Sequence, residues 1–152
     1  MFTNILLAVD GSDISLRAAR HGIELAKSLT AKVTITTVTL PWATYFAREL
    51  AVVVPDIVVP QADYDRKRET AAAGLMHSVL HQAHWAGIKA KVVHRIDRQP
   101  HEAIINVAIR EGCDLIVLGS HRDPGFSGGL PGSETMKVLT RTDIPVLVYR
   151  QN

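Results

Sequence analysis

Cysteine is nearly absent from this chain of 152 residues: Cys113 is the only one, so no disulfide can form within the chain. A reducing compartment is therefore expected, and we predict a cytoplasmic protein. No apolar run is long enough to span a membrane, and the N-terminal MFTNILLAVDGS lacks the basic region and cleavage site of a secretory signal. We accordingly expect neither export nor a membrane partner.

An excess of charge of one sign is also missing. The chain has 17 Lys and Arg residues against 15 Asp and Glu, a formal net charge of +2, and its basic residues form no run. Because nucleic-acid binding needs a concentrated basic surface, this balance argues against a nucleic-acid partner. The hydrophobic fraction of 47% and the length suit one globular domain with a real core. We predict a single domain over residues 1–152.

Five short apolar or β-branched runs, each ended by turn residues, predict five strands. Continuous runs of this kind are typical of strands that are buried on both faces of a parallel sheet. They cover residues 4–9, 32–40, 89–96, 114–119 and 145–149.

Amphipathic stretches between these runs predict four helices. The first has a buried stripe at helical spacing, with Ser12 or Asp13 as its N-cap. The helices cover residues 14–29, 62–86, 100–111 and 133–141, and Ile104, Ile105, Ala108 and Ile109 are expected on the buried side of the third. Alternating strands and helices indicate a doubly wound parallel sheet with helices on both faces. Residues 41–61 are predicted as a long connection that serves as a lid, a binding loop or a contact surface.

A glycine-rich stretch, GSHRDPGFSGGLPGS, follows the fourth predicted strand and leads into the last helix. Ligands of open α/β sheets bind beyond the strand ends where the strand order reverses, so this stretch should meet Asp10 if strands one and four are neighbours. The helix N-terminus at Gly132 and Ser133 suits an anion, since Gly132 permits close approach and Ser133 offers a hydroxyl and an N–H group. The alternative is that Ser133 is only a cap and the glycines only a turn. The stretch matches neither a Walker loop nor a Rossmann fingerprint.

Two segments resemble the universal stress protein family: NILLAVDGS, and GCDLIVLGSH followed by GSETMKVLTRTDIPVLVYR. The family's nucleotide motif is Gly, two residues, Gly, nine residues and Gly-Ser/Thr. It falls here on Gly119, Arg122, Gly132 and Ser133. The resemblance covers nearly the whole chain. It implies a five-stranded sheet of order 3-2-1-4-5, the adenine nucleotide alpha hydrolase-like fold, and a cytoplasmic stress-response protein.

The resemblance also implies a ligand and a partner. The ligand is ATP or a related adenine nucleotide, with Mg²⁺ entering only alongside a triphosphate. Its contacts would come from Asp10 near the ribose or adenine, Val38 near the adenine, Gly119, Gly132 and Ser133 on ribose and phosphates, and His121 nearby without a catalytic role. The partner is a second copy, paired through the last strand from Pro145 to Tyr149, and an exposed apolar edge strand invites such pairing.

Two arginines depart from the family pattern and leave alternatives open. Arg122 stands at a motif Gly, and Arg98 stands where ATP-binding members often have Gly. Their guanidinium groups either pair with phosphate oxygens or block the site. In the second case the protein is a nucleotide-free interaction module, and the apolar residues 50–59 meet its partner. An enzyme, such as a slow nucleotide hydrolase, is ranked last because no paired base and nucleophile is visible, so no catalytic residue is predicted.

The remaining histidines and the cysteine are assigned structural roles. His77, His81 and His84 share one helix face, and two of them could bind zinc. The apolar stripe lies elsewhere on that helix, so a solvated face without a metal site is predicted. Cys113 is expected to be a buried, inert thiol. At the start of the third helix, Glu102 complements the helix dipole, and no further role is predicted for His101 beside it.

Overall fold

Five parallel strands form one sheet in the computed structural model, which describes residues 1–49, 59–121 and 132–150. The strands are β1 (Asn4–Ala8), β2 (Lys32–Thr39), β3 (Ala90–Ile96), β4 (Leu115–Ser120) and β5 (Val146–Arg150). Their order across the sheet is β3-β2-β1-β4-β5, and every neighbouring pair is parallel. The predicted fold class and strand order are confirmed.

Helices cover both faces of this sheet. They are α1 (Asp13–Leu29), α2 (Trp42–Glu49), α3 (Gln61–Trp85), α4 (Pro100–Arg110) and α5 (Ser133–Arg141). One apolar cluster joins the sheet to α1 and α3, and a second joins it to α4 and α5. Within the described ranges, no helix combines the length and the apolar character needed to cross a membrane.

β1 lies at the centre of the sheet. This central position explains why its sequence is a continuous apolar run. Ile5, Leu6 and Leu7 are all fully buried. Ile5 and Leu7 belong to the cluster with α1 and α3, while Leu6 belongs to the cluster with α4 and α5. Each such side chain contributes about 1.5–3 kcal/mol on burial. A strand with helices on both sides therefore needs apolar side chains on both of its faces.

The start of β1 is fastened to β4 by one carboxylate. Asp114 accepts hydrogen bonds from the backbone N–H and hydroxyl of Thr3, both at 2.8 Å, and from the backbone N–H of Asn4 at 3.0 Å. Partial burial raises the pKa of Asp114, but these hydrogen bonds outweigh it and hold the pKa below its ordinary value. The ionised carboxylate thus replaces the backbone partners that a strand end lacks.

The structure corrects the prediction that residues 41–61 are only a connection, because α2 occupies their first part. Trp42, Tyr45 and Phe46 have helical spacing, and the rings of Tyr45 and Phe46 lie 5.3 and 5.9 Å from that of Tyr64 on α3. The hydroxyl of Tyr64 donates to the carbonyl of Leu40 at 2.7 Å. The apolar segment proposed as a partner surface lies outside the described residues, except for Val59, which is exposed.

Two smaller predictions are also settled by the helices. Ser12 is the N-cap of α1, and its hydroxyl accepts from the backbone N–H of Ser15 at 3.3 Å. Asp13 is the first helical residue and pairs with Arg17 at 2.9 Å.

The burial of Ile109 was wrongly predicted, since it is 64% exposed. Ile109 follows Glu102 by two helical turns and shares its solvent side.

Candidate functional site

The loops that follow β1 and β4 meet because these strands are neighbours. Beyond the strand ends is a cavity of about 220 Å³, which we call the central cavity. It is lined by Ala8, Val9, Asp10, Ser15, Thr36, Val38, Pro100, Ile104, Leu118, Gly119, Glu134, Thr135 and Val138. Three of the predicted site residues, Asp10, Val38 and Gly119, are in this lining. Arg122 lies outside the described residues.

Asp10 is held at the mouth of the cavity by the first turn of α1. Its Oδ1 accepts from the backbone N–H of Ser12 at 2.9 Å, and its own N–H donates to the hydroxyl of Ser15 at 3.2 Å. Desolvation raises the pKa of the Asp10 carboxyl, but the hydrogen bonds and the nearby His121 together lower it below its ordinary value. Asp10 therefore presents an ionised, oriented hydrogen-bond acceptor.

Gly119 lies where β4 passes close to the backbone of α1. A methyl group on Gly119 would lie 2.6 Å from the carbonyl oxygen of Ile14 and 2.9 Å from the Cα of Ser15. Both atoms belong to the helix backbone, so they cannot turn aside as a flexible side chain can. Glycine at this position thus has a packing reason that is independent of any ligand.

Ser120 joins the two ends of the glycine-rich stretch. Its buried hydroxyl accepts from the backbone N–H of Gly132 at 2.7 Å and donates to the carbonyl of His121 at 3.3 Å. Gly132 is the N-cap of α5 and makes no side-chain cap bond, while Ser133 is the exposed first residue of the helix. The alternative that Ser133 caps the helix is therefore wrong. Gly132, Ser133 and His121 lie beside the central cavity and are not in its lining.

Glu134 and His101 form an interaction that the sequence analysis missed. Glu134 Oε2 accepts from the backbone N–H of His101 at 3.2 Å and from its ring Nδ1 at 2.9 Å. Arg141 contacts the other ring nitrogen of His101. Because arginine can only donate, Nε2 accepts and Nδ1 carries the proton. His101 is 3% exposed and connects α4 to α5. It therefore has a structural role, although none was predicted for it from the sequence.

The electrostatic state of Glu134 follows from these contacts. Its second oxygen, Oε1, accepts from the ammonium group of Lys137 at 2.9 Å. Burial raises the pKa of Glu134, but the hydrogen bonds from Lys137 and His101 and the positive charge of Lys137 outweigh it and lower the pKa. Glu134, which lines the central cavity, thus carries a fixed carboxylate. Its only sequence signal was an acidic residue in the first turn of the last helix.

The other titratable residues considered from the sequence are not in the lining of this cavity. His77, His81 and His84 are exposed on α3, as predicted. Cys113 is buried, and burial raises the pKa of its thiol, as expected for an unreactive cysteine. Arg98 is exposed in the loop before α4.

A second cavity of about 320 Å³ lies on the α3 side of the strand ends, next to the central cavity, and shares Asp10 and Val38 with it. The guanidinium of Arg68 lies over two rings at its wall, 4.9 Å from the centroid of Tyr45 and 5.4 Å from that of Tyr64. This arrangement is a cation–π contact, which stabilises the packing of α2 on α3.

Comparison with known proteins gives a consistent result. Residues 1–150 match the family model described as the universal stress protein family. Universal stress protein YxiE of Bacillus subtilis is 31% identical over 99% of this chain and 100% of its own length. Among solved structures, a universal stress protein in complex with cAMP has a TM-score of 0.68 at 22% identity, covering 99% of this chain and 98% of the other.

A further solved structure carries a different adenine nucleotide. It is a universal stress protein from Archaeoglobus fulgidus in complex with dAMP, with a TM-score of 0.61 at 19% identity and 97% of each chain covered. At these identities the two structural matches show a shared fold.

Proposed function

Because this chain belongs to the universal stress protein family, we propose that it binds an adenine nucleotide in the central cavity. The observation that carries the proposal is the cavity itself, which lies at the ends of β1 and β4, where the strand order reverses. Similar folds that hold cAMP and dAMP support the choice of ligand.

The chemistry of the lining fits the parts of such a ligand. Val38, Ile104 and Leu118 supply apolar surface for a flat base. Asp10 supplies an ionised acceptor for ribose hydroxyls. The start of α5 lies beside the cavity, and Arg122 follows β4 by two residues, so we assign Arg122 to the phosphate. ATP belongs to the same proposal as one candidate ligand, with Mg²⁺ as its companion.

Calorimetric titration of the purified protein with AMP, cAMP and ATP, the last with and without Mg²⁺, tests this function. We expect the native protein to bind at least one of them and Arg122→Gly to bind it more weakly. Arg66→Ala is the matched control, because Arg66 is an exposed arginine on α3 that pairs with Asp63. It should bind like the native protein.

Two other results would change the assignment. If the native protein is silent and Arg122→Gly binds, Arg122 blocks the site and the nucleotide-free interaction module replaces our proposal. If no variant binds any nucleotide, the proposed ligand class is wrong. Phosphate release above background would add slow hydrolysis, for which the lining offers no paired base and nucleophile among the residues that the structure describes.

We also propose that the protein works in the cytoplasm as a stress-response homodimer. β5 forms one edge of the sheet, with β4 as its single neighbour in the described part of the chain. Leu147 on this strand is 39% exposed. An exposed apolar edge strand supports pairing with a second copy.

A further inference from the structure

Among the described residues, the charged side chains that line the central cavity are both acidic. Asp10 and Glu134 are its acidic lining residues, and no lysine, arginine or histidine lines it in the part of the chain that the structure describes. Both carboxyl groups have lowered pKa values, so both are ionised at neutral pH. A ligand placed here therefore meets two carboxylates, of which Glu134 is paired with Lys137, and negative groups brought close to them are repelled.

A carboxylate of the protein, that of Glu134, lies at the helix N-termini beside the cavity. The N-caps of α4 and α5, Gln99 and Gly132, make no side-chain cap hydrogen bond. Glu134 compensates for both, because it stands in the first turn of α5 and accepts from the His101 N–H in the first turn of α4. Helix N-termini attract phosphate through such N–H groups and the helix dipole. Here the carboxylate of Glu134, rather than a phosphate, accepts one of these N–H groups.

Two cations of α5 are engaged by this same cluster. Lys137 donates to Glu134 Oε1 at 2.9 Å. Arg141 contacts the ring of His101, and its guanidinium lies 3.7 Å from the carboxylate of Glu102. These contacts fix Glu134 in place at the wall of the cavity. They also engage the positive charge of Lys137 with Glu134 and place that of Arg141 near Glu102.

We propose that Glu134 restricts this site to adenine ligands of low negative charge, an inference that rests on the proposed function. The ligand class is a nucleoside or a nucleoside monophosphate, including a cyclic one, in preference to the triphosphate. Glu134 is then the residue that determines specificity: it leaves room and hydrogen-bonding partners for a base and a ribose, and it repels an extended phosphate chain.

The test is a set of calorimetric titrations with adenosine, cAMP, AMP and ATP, the last with and without Mg²⁺. The native protein is compared with Glu134→Gln, which keeps the size of the side chain and an oxygen for the His101 N–H. The matched control is Glu102→Gln, which removes a neighbouring carboxylate that does not line the cavity. Thermal unfolding of each variant establishes that it is folded.

We expect the native protein to bind cAMP or AMP at least about tenfold more tightly than ATP, a difference of about 1.4 kcal/mol. Glu134→Gln should recover about tenfold in ATP affinity and change adenosine affinity little, while Glu102→Gln should keep the native preference.

The inference is overturned if the native protein binds ATP, with or without Mg²⁺, as tightly as the monophosphates. It is also overturned if both glutamine variants gain ATP affinity equally, since the effect would then be one of general charge. In either case adenine binding itself survives. If no ligand binds any variant, including uncharged adenosine, the proposed function fails together with the inference.

Discussion

At the scale of single residues, Asp114 shows how one carboxylate can stabilise a strand end. Its three hydrogen bonds from Thr3 and Asn4 connect β1 to β4. We expect Asp114→Asn to lower the free energy of unfolding by about 1–2 kcal/mol at neutral pH, because an amide accepts these bonds less strongly than a charged group does. Urea denaturation of both proteins measures the difference.

The pH dependence of that difference follows from the direction of the pKa shift. The pKa of Asp114 is lowered from its ordinary value of 3.8 in the folded state. Its stabilisation is therefore fully present above the ordinary value and is lost as the pH falls through the lower folded value. The difference between native protein and variant should shrink below about pH 4. Asp65→Asn, an exposed carboxylate on α3, is the control, and an equal effect there would contradict the assignment.

Single residues also mark the limit of what the sequence could predict about the site. Asp10 and Gly119 could be placed near the cavity because each lies at the end of a recognisable strand, while Val38 was placed there through the resemblance to the universal stress protein family. The pairing of His101 with Glu134 could not be predicted, since these residues are 33 positions apart and meet only when α4 packs on α5. A buried histidine and a surface histidine look alike in a sequence without that contact.

At the scale of elements, the approach of β4 to α1 depends on the missing side chain of Gly119. We expect Gly119→Ala to lower the free energy of unfolding by about 1–3 kcal/mol, because a methyl group 2.6 Å from the Ile14 carbonyl forces the helix away from the strand. Thermal or denaturant unfolding without any nucleotide present measures this cost. A ligand-contact role alone would leave stability unchanged.

The control for this substitution is Gly74→Ala on α3. A methyl group there would meet no atom within 4 Å, and the position is exposed. Alanine favours helix over glycine by about 0.8–1 kcal/mol, so this variant should be more stable than the native protein. If both substitutions shift stability in the same direction, the steric explanation for Gly119 is wrong.

The elements differ in how well the sequence predicted them. The strands were recognisable because burial on both faces demands continuous apolar residues. α2 was missed because it has only eight residues and lies in a proline-flanked segment. Its stability comes from aromatic contacts with Tyr64, which belongs to the next helix. A helix that depends on tertiary contacts has a weak local signal.

At the scale of the whole molecule, the proposed homodimer predicts a defined effect at the β5 edge. We expect Leu147→Lys to convert a dimer to a monomer, because a charge on an edge strand opposes pairing with another strand. Size-exclusion chromatography with light scattering, over a range of protein concentrations, measures the mass. Ile109→Lys is the control, since Ile109 is a more exposed apolar residue on α4. A native protein that is monomeric throughout would refute the proposal.

The position of β1 has a consequence for how the protein is made. Its two neighbours in the sheet come from very different parts of the chain: β2 follows soon after it, while Asn4 and Asp114 are 110 residues apart. During translation, the first strand leaves the ribosome long before its second partner has been synthesised. Until then one edge of the most apolar strand is open, and nascent chains with such edges are prone to aggregate.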